Sequence, residues 1–408
     1  MFNKSIQYVL FTDVTLFALT IGIIYPIILL NNLNIETSFL GYVVAVFNFG
    51  EFIGSFLLSR VYNYLGEKKT FIINLIIAII GNIIYSHSIL INADKARWMI
   101  LCGRFFLGFY SGGSQSIRQI FISKNIENGN EKLQYIIKLG IFLRFGFIVG
   151  PFITIFLKII NINLGYVNII PETAGNYILI ILEFLQILLL LYSFHNYQND
   201  QNILTDIVIE KDEIVREEII FNWYGIIICL ILVFTSFLVF SFQETIIINI
   251  FIDNFNWTST EFGYVFTYSG ILNAIISLGL YQYCKRNQIN NIKMLIISCL
   301  FGMVGFILML KYSKEYNMWL FLFGFTIMTI QTTFSISYIY TSYPKYIKRE
   351  KLTKYFGYLF MCGSIARIIG GYLFVYLYLN TFVNLSFIIM FVLFSINLLL
   401  LLLLKKKI

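Results

Sequence analysis

The chain has 408 residues and a formal charge of +8; it is 59% hydrophobic and 18% aromatic, only 12% charged, and its mean hydropathy is +0.80. A soluble core cannot absorb that much apolar surface, and apolar runs of about twenty residues recur throughout, so a soluble domain is excluded and an all-α polytopic membrane protein is indicated. The period-two alternation of a transmembrane barrel is missing. The basic excess calls for no nucleic acid, because most Lys and Arg residues stand at the ends of apolar runs.

A window of about nineteen residues places spans near 6–30, 38–59, 70–91, 97–121, 134–158, 175–195, 223–250, 261–283, 292–311, 317–341, 354–378 and 381–404, about twelve in all. The first is too long for a signal peptide and lacks a small-residue cleavage site after it, so it is expected to stay as an anchor. Lysines and arginines concentrate on one side: Lys4, Arg60, Lys68, Lys69, Lys124, Lys285, Arg286, Lys345, Lys348, Arg349 and Lys405 belong to it, whereas the other side holds Lys95, Arg97, Lys311 and Lys314. Both termini are therefore expected to face the cytosol. One long charged stretch, 196–220, with Asp206, Glu210, Lys211, Asp212, Glu213 and Arg216, separates six spans in 1–195 from six in 221–408. That is the layout of two parallel six-helix repeats joined by a cytosolic linker.

The fourth span holds the most informative stretch, Leu101 to Arg118. Wound as a helix, it aligns Arg104, Gly108, Gly112, Gln115 and Arg118 on one stripe about 120° wide and about 21 Å long. An arginine at the centre of a membrane helix costs at least about 2.5 kcal/mol on insertion scales, so the stripe is expected to face protein or a wet cavity. On the second span Asn48, Glu51, Ser55 and Ser59 make a matching polar stripe. The ionisable groups that interrupt spans are Asp13, Glu51, Arg104, Arg118, Arg144, Glu183, Glu244 and Arg367. Four acids against four arginines balance the interior charge, which suits salt-bridged gates as well as a binding site.

For Arg104 the readings are an anion contact, a charge partner to Glu51 or Asp13, or a helix-packing salt bridge. Arg118 fits a gate pair, cytosolic snorkelling or ligand contact. Glu51 and Asp13 are either proton-coupled carboxylates or structural partners for arginines. Arg144 and Arg367 occupy corresponding helices of the two halves, where paired arginines suit an anion or each meets a carboxylate such as Glu244. Gly146, Gly150 and Gly370 join Gly108 and Gly112 as glycines that let neighbouring helices approach closely. Tyr25-Pro26 is expected to bend the first span. Asn256-Trp-Thr258 is a glycosylation sequon on the non-cytosolic side. The five cysteines show no metal-ligand spacing and read as core residues. There is no Walker loop, GxSxG, HExxH or EF-hand loop, so no catalytic residue, metal or cofactor is expected.

Leu101-x2-Arg104-x2-Leu107-Gly108-x3-Gly112 resembles the fourth-helix signature of the major facilitator superfamily. Ser59-x3-Asn63-Tyr64-Leu65-Gly66-Glu67-Lys68-Lys69 resembles its signature between helices two and three, with Asn63 replacing an aspartate. Gly146-x3-Gly150-Pro151 resembles its fifth-helix signature, with Thr154 and Ile155 where a glycine pair often follows. The ordered set Glu36-Thr-Ser-Phe-Leu-Gly41, Asn63-Tyr64, Arg104-x3-Gly108, Ile117-Arg118, Gly146-Phe-Ile-x-Gly150-Pro151, Glu244-Thr-Ile-Ile and Gly363-x2-Ala366-Arg367-Ile-x-Gly370 is similar to the lysosomal neuronal-ceroid-lipofuscinosis-type branch, related to SPX-domain vacuolar transporters. The resemblance implies a twelve-helix major facilitator fold and a monomeric secondary transporter in an endolysosomal or vacuolar membrane. Its partners would be a small anionic solute, protons and the lipid bilayer. Substrate would meet Arg104, Arg144 and Arg367, and coupling or gating would use Asp13, Glu51, Arg118 and Glu244. A channel-like anion conductance on the same fold and a non-transporting membrane partner protein are the alternatives.

Overall fold

The computed structural model describes residues 4–23, 33, 39–126, 128–157, 162–163, 168–208, 222–255, 259–287, 290–311, 317–380 and 383–407. Almost all of them are helical. In chain order the helices are α1 (Lys4–Ile23), α2 (Leu40–His87), α3 (Ala93–Asn125), α4 (Gly129–Leu157), α5 (Pro171–Val208), α6 (Trp223–Phe242), α7 (Ile248–Phe255), α8 (Ser259–Arg286), α9 (Asn291–Leu308), α10 (Met318–Ser342), α11 (Leu352–Leu379) and α12 (Val383–Lys407). A two-residue antiparallel ladder joins Ile162–Asn163 to Asn168–Ile169. Among the described residues eight helices are long and apolar enough to cross a bilayer. Helix α3 is not one of these, since it carries Arg104 and Arg118 along its length and needs protein around it.

Helix α2 contains the second and third expected spans, split at Gly66, whose φ of 74° and ψ of 176° lie outside helical space. Glycine takes that left-handed φ without a Cβ penalty, so it stands where the chain must turn between two membrane-length halves. The seventh expected span is also divided: α6 runs into a π-helical turn, Gln243–Ile247, before α7 begins. Helix α5 continues to Val208, into the stretch read as linker. Asparagine side chains cap several starts. Asn222 Oδ1 accepts from Gly225 N at 3.2 Å, Asn317 Oδ1 from Leu320 N at 3.1 Å, and Asn290 Oδ1 from Ile292 N at 3.0 Å. Each satisfies one of the orphan N–H groups of a first turn. Tyr25-Pro26, 36–38 and the Asn256 sequon lie outside the described residues.

Two compact units emerge from the packing. The first comprises Met1–Lys124, Val149–Phe221 and Glu350–Gly357; the second comprises Asn125–Ile148, Asn222–Arg349 and Tyr358–Ile408. Neither is one continuous stretch of chain, and α4 contributes its first part to the second unit and its last part to the first.

In the first unit α5 packs on α1 and α2. Its outward face exposes Ile181, Phe184, Leu185, Leu188 and Tyr192, while Asn176, Glu183 and Gln186 are buried. Apolar outside and polar inside is the arrangement a hydrocarbon solvent selects. Cys102, read from the sequence as a core residue, is exposed on the outer face of α3. Helices α2 and α3 touch through their backbones. A Cβ added at Gly50 or Gly54 would come closer than 3.0 Å to the carbonyl oxygens of Phe105 or Phe109, and one added at Gly108 or Gly112 would do the same to those of Phe47 or Glu51. The four glycines interleave, two from each helix, and fix the register of the pair.

The second unit is built on an aromatic core. The Phe242 ring lies 5.2 Å from Phe306, 5.2 Å from Phe374 and 5.1 Å from Phe387, near edge-to-face in each case. That geometry sets positive ring edges on negative faces and adds about 0.5–1.5 kcal/mol per pair to simple burial. Helix α9 packs against α10 and α12, with Gly305 and Gly324 at the crossing.

The glycine contact predicts a sharp contrast. Gly112→Ala has to push α2 away from α3 and is expected to lose about 2 kcal/mol or more of stability, whereas Gly279→Ala, with nothing within 4 Å of the added carbon, is expected to be neutral or stabilising by up to about 1 kcal/mol. Thermal unfolding of the two purified variants in detergent measures the difference; equal midpoints would mean that the helices can slide apart freely.

Candidate functional site

The polar stripe of α3 meets carboxylates from two other helices of the first unit. Asp13 on α1 is 1% exposed, and its Oδ2 accepts from Ser114 Oγ at 2.9 Å and from the Arg118 guanidinium in a buried ion pair. Arg118 Nη1 also reaches Ser114 Oγ, and its guanidinium sits 5.4 Å from the Phe17 ring centre. Arg118 is thus turned inward and neutralised rather than extended toward a headgroup region. The pair makes sense at this depth, because either charge alone would carry the full desolvation cost.

One turn further along α3, Glu51 on α2 accepts from Ser111 Oγ at 2.6 Å and Gln115 Nε2 at 3.3 Å, both on its Oε1. The glycine register causes this. Gly112 brings α3 against the Glu51 backbone, so the side chains on either side of Gly112 reach the carboxylate. The other members of the α2 stripe, Asn48, Ser55 and Ser59, are buried with it. Ser55 and Ser59 hydroxyls donate back to Phe52 O and Phe56 O, and the Asn48 amide oxygen has no hydrogen-bond partner among the described residues.

Arg104 is treated differently. It is 8% exposed, yet no carboxylate comes within ion-pair distance among the described residues. Its guanidinium carbon lies 5.5 Å from the centre of the Phe47 ring and 5.7 Å from that of Tyr85, and its Nε has no hydrogen-bond partner there. Aromatic faces attract a cation by about 0.5–2 kcal/mol each, less than an anion would in the same place. Of the two acids considered for Arg104 from the sequence, Asp13 is bound to Arg118, and Glu51 to Ser111 and Gln115.

In the second unit Arg144 on α4 also meets only neutral groups among the described residues. Nη1 donates to Gly140 O at 2.8 Å and Nη2 to Thr333 Oγ1 at 2.7 Å; the threonine hydroxyl in turn donates to Asn273 Oδ1 at 2.7 Å. A guanidinium held in place by a carbonyl and a hydroxyl keeps its charge unspent. Arg367 on α11 is half-buried, and its own carbonyl accepts from Ser241 Oγ at 3.3 Å. Gly370 lies one turn on, with Leu238 and Ser241 of α6 against it. Gly146 and Gly150 are buried on α4. Glu244 falls in the π-helical turn, and its side chain lies outside the described residues.

Reading the sequence alone did not find Ser111, Ser114, Tyr85, Phe47, Thr333 or Asn273 as partners. For the two serines a signal existed: Ser111, Ser114, Gln115 and Arg118 follow three- and four-residue spacings, so they share the face that the glycines bring to α2 and α1. For Tyr85, Thr333 and Asn273 there is none, since each pairing is set by helix packing.

The ion pair predicts a strong asymmetry between single and double changes. Asp13→Asn strands the Arg118 charge and is expected to cost about 3–5 kcal/mol, whereas Asp13→Asn combined with Arg118→Gln is expected to recover most of that loss. A double-mutant cycle by thermal unfolding measures the coupling, and additive losses would mean that the pair contributes little.

Two family models cover the chain in succession: "Sugar (and other) transporter" matches residues 12–193 and "Major Facilitator Superfamily" matches 229–407. Major facilitator superfamily domain-containing protein 8 of Xenopus laevis is 23% identical over 285 residues, 66% of this chain and 55% of that protein. The human facilitated glucose transporter member 4 is 31% identical over 81 residues, 20% of this chain and 15% of the transporter. The chain thus matches little more than half the length of the first relative and a short piece of the second. Among solved structures, the human organic anion transporter MFSD10 shares the fold with a TM-score of 0.74 at 14% identity, over 98% of this chain and 99% of that one. The proton:xylose symporter XylE, bound to 6-bromo-6-deoxy-D-glucose, does so with a TM-score of 0.74 at 14% identity, over 99% and 96%. With the multi-helix membrane architecture and the polar stripes of α2 and α3, these matches show that the chain has the major facilitator fold, each half resembling a transporter-family model.

Proposed function

We propose that the chain is a secondary transporter that moves a small anionic solute by alternating access, with six-helix bundles in 1–195 and 221–408 joined by the charged 196–220 stretch. The observation that carries this reading is the unequal treatment of the arginines set within the helices, Arg104 and Arg118 buried and Arg144 half-buried. Arg118 is neutralised by Asp13, whereas Arg104 and Arg144 are held by rings, a carbonyl and a hydroxyl. Evolution of a purely structural interior would neutralise or remove such charges, because an uncompensated guanidinium in a low-dielectric site is costly. An anionic solute supplies the missing charge and gains two-pronged hydrogen bonding from each planar fork.

In this mechanism Arg104 and Arg144 are the primary substrate contacts and Arg367 a further one. Asp13 and Arg118 form a gate pair that opens and recloses with the cycle, and Glu51, held by Ser111 and Gln115, is a carboxylate that can exchange a proton, with Glu244 a second gating acid. Transport of organic anions by the MFSD10 protein fits this substrate class. The coupling of xylose to protons in the symporter XylE fits proton drive. The distribution of basic residues favours both termini in the cytosol, and an endolysosomal or vacuolar membrane is the location we favour. A channel-like anion conductance would use the same arginines, and currents too large for an alternating carrier would identify it.

Flux in proteoliposomes tests the reading with pooled small organic and inorganic anions, hexoses serving as the neutral comparison. Anion uptake is expected in the wild-type protein and is expected to fall about tenfold to a hundredfold in Arg104→Gln and in Arg144→Gln, the loss matching about 1.5–3 kcal/mol for a hydrogen bond to a charged group. Hexose uptake that ignores both substitutions, with no anion uptake, would overturn the anionic assignment and leave the fold assignment untouched.

A further inference from the structure

One buried acid takes no part in the arrangement above. Glu183 lies on α5, 0% exposed, in the face that packs against α1 and α2. Its Oε1 accepts from Asn82 Nδ2 at 2.8 Å, and Asn82 Oδ1 in turn accepts from Asn176 Nδ2 at 2.9 Å. Asn176 and Glu183 are about two helical turns apart on α5, so the Asn82 amide of α2 bridges them. Two acceptors remain open: Glu183 Oε2 and Asn176 Oδ1 are buried with no hydrogen-bond partner among the described residues.

Among the described residues the surrounding groups offer no counter-charge. Asn82 comes from α2, and the neighbouring Ser86 hydroxyl is turned back to Asn82 O at 2.8 Å. From α3 comes the Tyr110 phenol, within electrostatic reach of both Glu183 and Asp13. From α1 come the Val9 carbonyl, which accepts from Gln186 Nε2 at 3.0 Å, and Asp13, whose charge Arg118 already balances. No Lys, Arg or His nitrogen lies within ion-pair distance of Glu183 among the described residues. One amide N–H does not replace the hydration shell of a carboxylate at membrane depth, so an ionised group here would be among the costliest charges in the unit. A neutral acid accepts the Asn82 amide on its carbonyl oxygen and carries its proton on the oxygen that is otherwise unmatched.

We propose that Glu183 is a proton-binding site: a neutral carboxylic acid, with Oε1 fixed by the Asn176–Asn82 amide chain and the proton on Oε2, separate from the Asp13–Arg118 pair. The inference does not depend on the anionic assignment, because no arginine takes part in it. Only a proton is exchanged, and releasing it requires water or a base to reach Oε2 as α5 parts from α2.

Infrared difference spectra of reconstituted wild-type protein and Glu183→Gln, recorded at about pH 7 where exposed carboxyls are ionised, test it directly. The expected result is one carboxylic-acid C=O band in the wild type that is absent from Glu183→Gln and shifts in D2O. Loss of a pair of carboxylate bands instead, or no difference, overturns the proposal. Glutamine has the shape of the neutral acid and can still accept from Asn82, so this variant is expected to fold. As a second measurement, Asn82→Leu removes the donor to Oε1 and is expected to move the same wild-type band to higher frequency; an acid band unmoved by that change would show that it belongs to another residue and would likewise sink the assignment.

Discussion

The backbone contact between the first half of α2 and α3 is the constraint on which the first unit depends. Gly50 and Gly54 from one helix and Gly108 and Gly112 from the other leave no room for a single added carbon, so the two helices have one register and one separation. The polar chemistry follows from that register: Glu51 arrives between Ser111 and Gln115, Phe47 arrives beside Arg104, and the remaining edge of the α3 stripe is left to α1, where Asp13 takes Arg118 and Ser114. In water such a contact would gain mainly by excluding solvent. In hydrocarbon it gains from dispersion and from hydrogen bonds that lipid cannot offer.

Each ionisable group at membrane depth has to be reconciled with a solvent that does not hydrate it, and this chain does so in three ways. Asp13 and Arg118 cancel one another. Arg104 and Arg144 keep their charge beside weak neutral partners, two rings in one case and a carbonyl with a hydroxyl in the other. Glu183 is set in amides. The first solution is stable in itself, the second is stable only until something better binds, and the third favours a group without charge. The functional reading rests on that difference in kind, since arginines of identical composition would be indistinguishable by sequence.

Much of this was legible beforehand. The spans came from apolar runs of membrane length, and their positions agree with the helices to within a few residues over most of the chain. The importance of Leu101 to Arg118 came from helical periodicity alone, and Gly108 and Gly112 do lie at a close helix contact. Less was legible where local rules compete with packing. The turn within α2 is compressed onto Gly66, the helix after Phe242 widens into a π turn, and α5 runs beyond the expected end of its span. For the last two, nothing in the local sequence distinguishes a continuing helix from an interrupted one.

What the sequence by itself determined is the class of protein, the rough limits of most of its helices, and the identity of the charged groups that interrupt them, because hydrophobic length and periodicity are properties of neighbouring residues. What only the tertiary structure decided is which charge meets which partner. Asp13 and Arg118 are 105 positions apart, Asn82 and Glu183 101, and Arg144 and Thr333 189. Four acids and four arginines admit many pairings of equal merit on paper. The choice among them is made by distances of a few ångströms between helices, fixed by glycine contacts and ring packing, and such distances are encoded by the whole of each unit rather than by any one stretch of it.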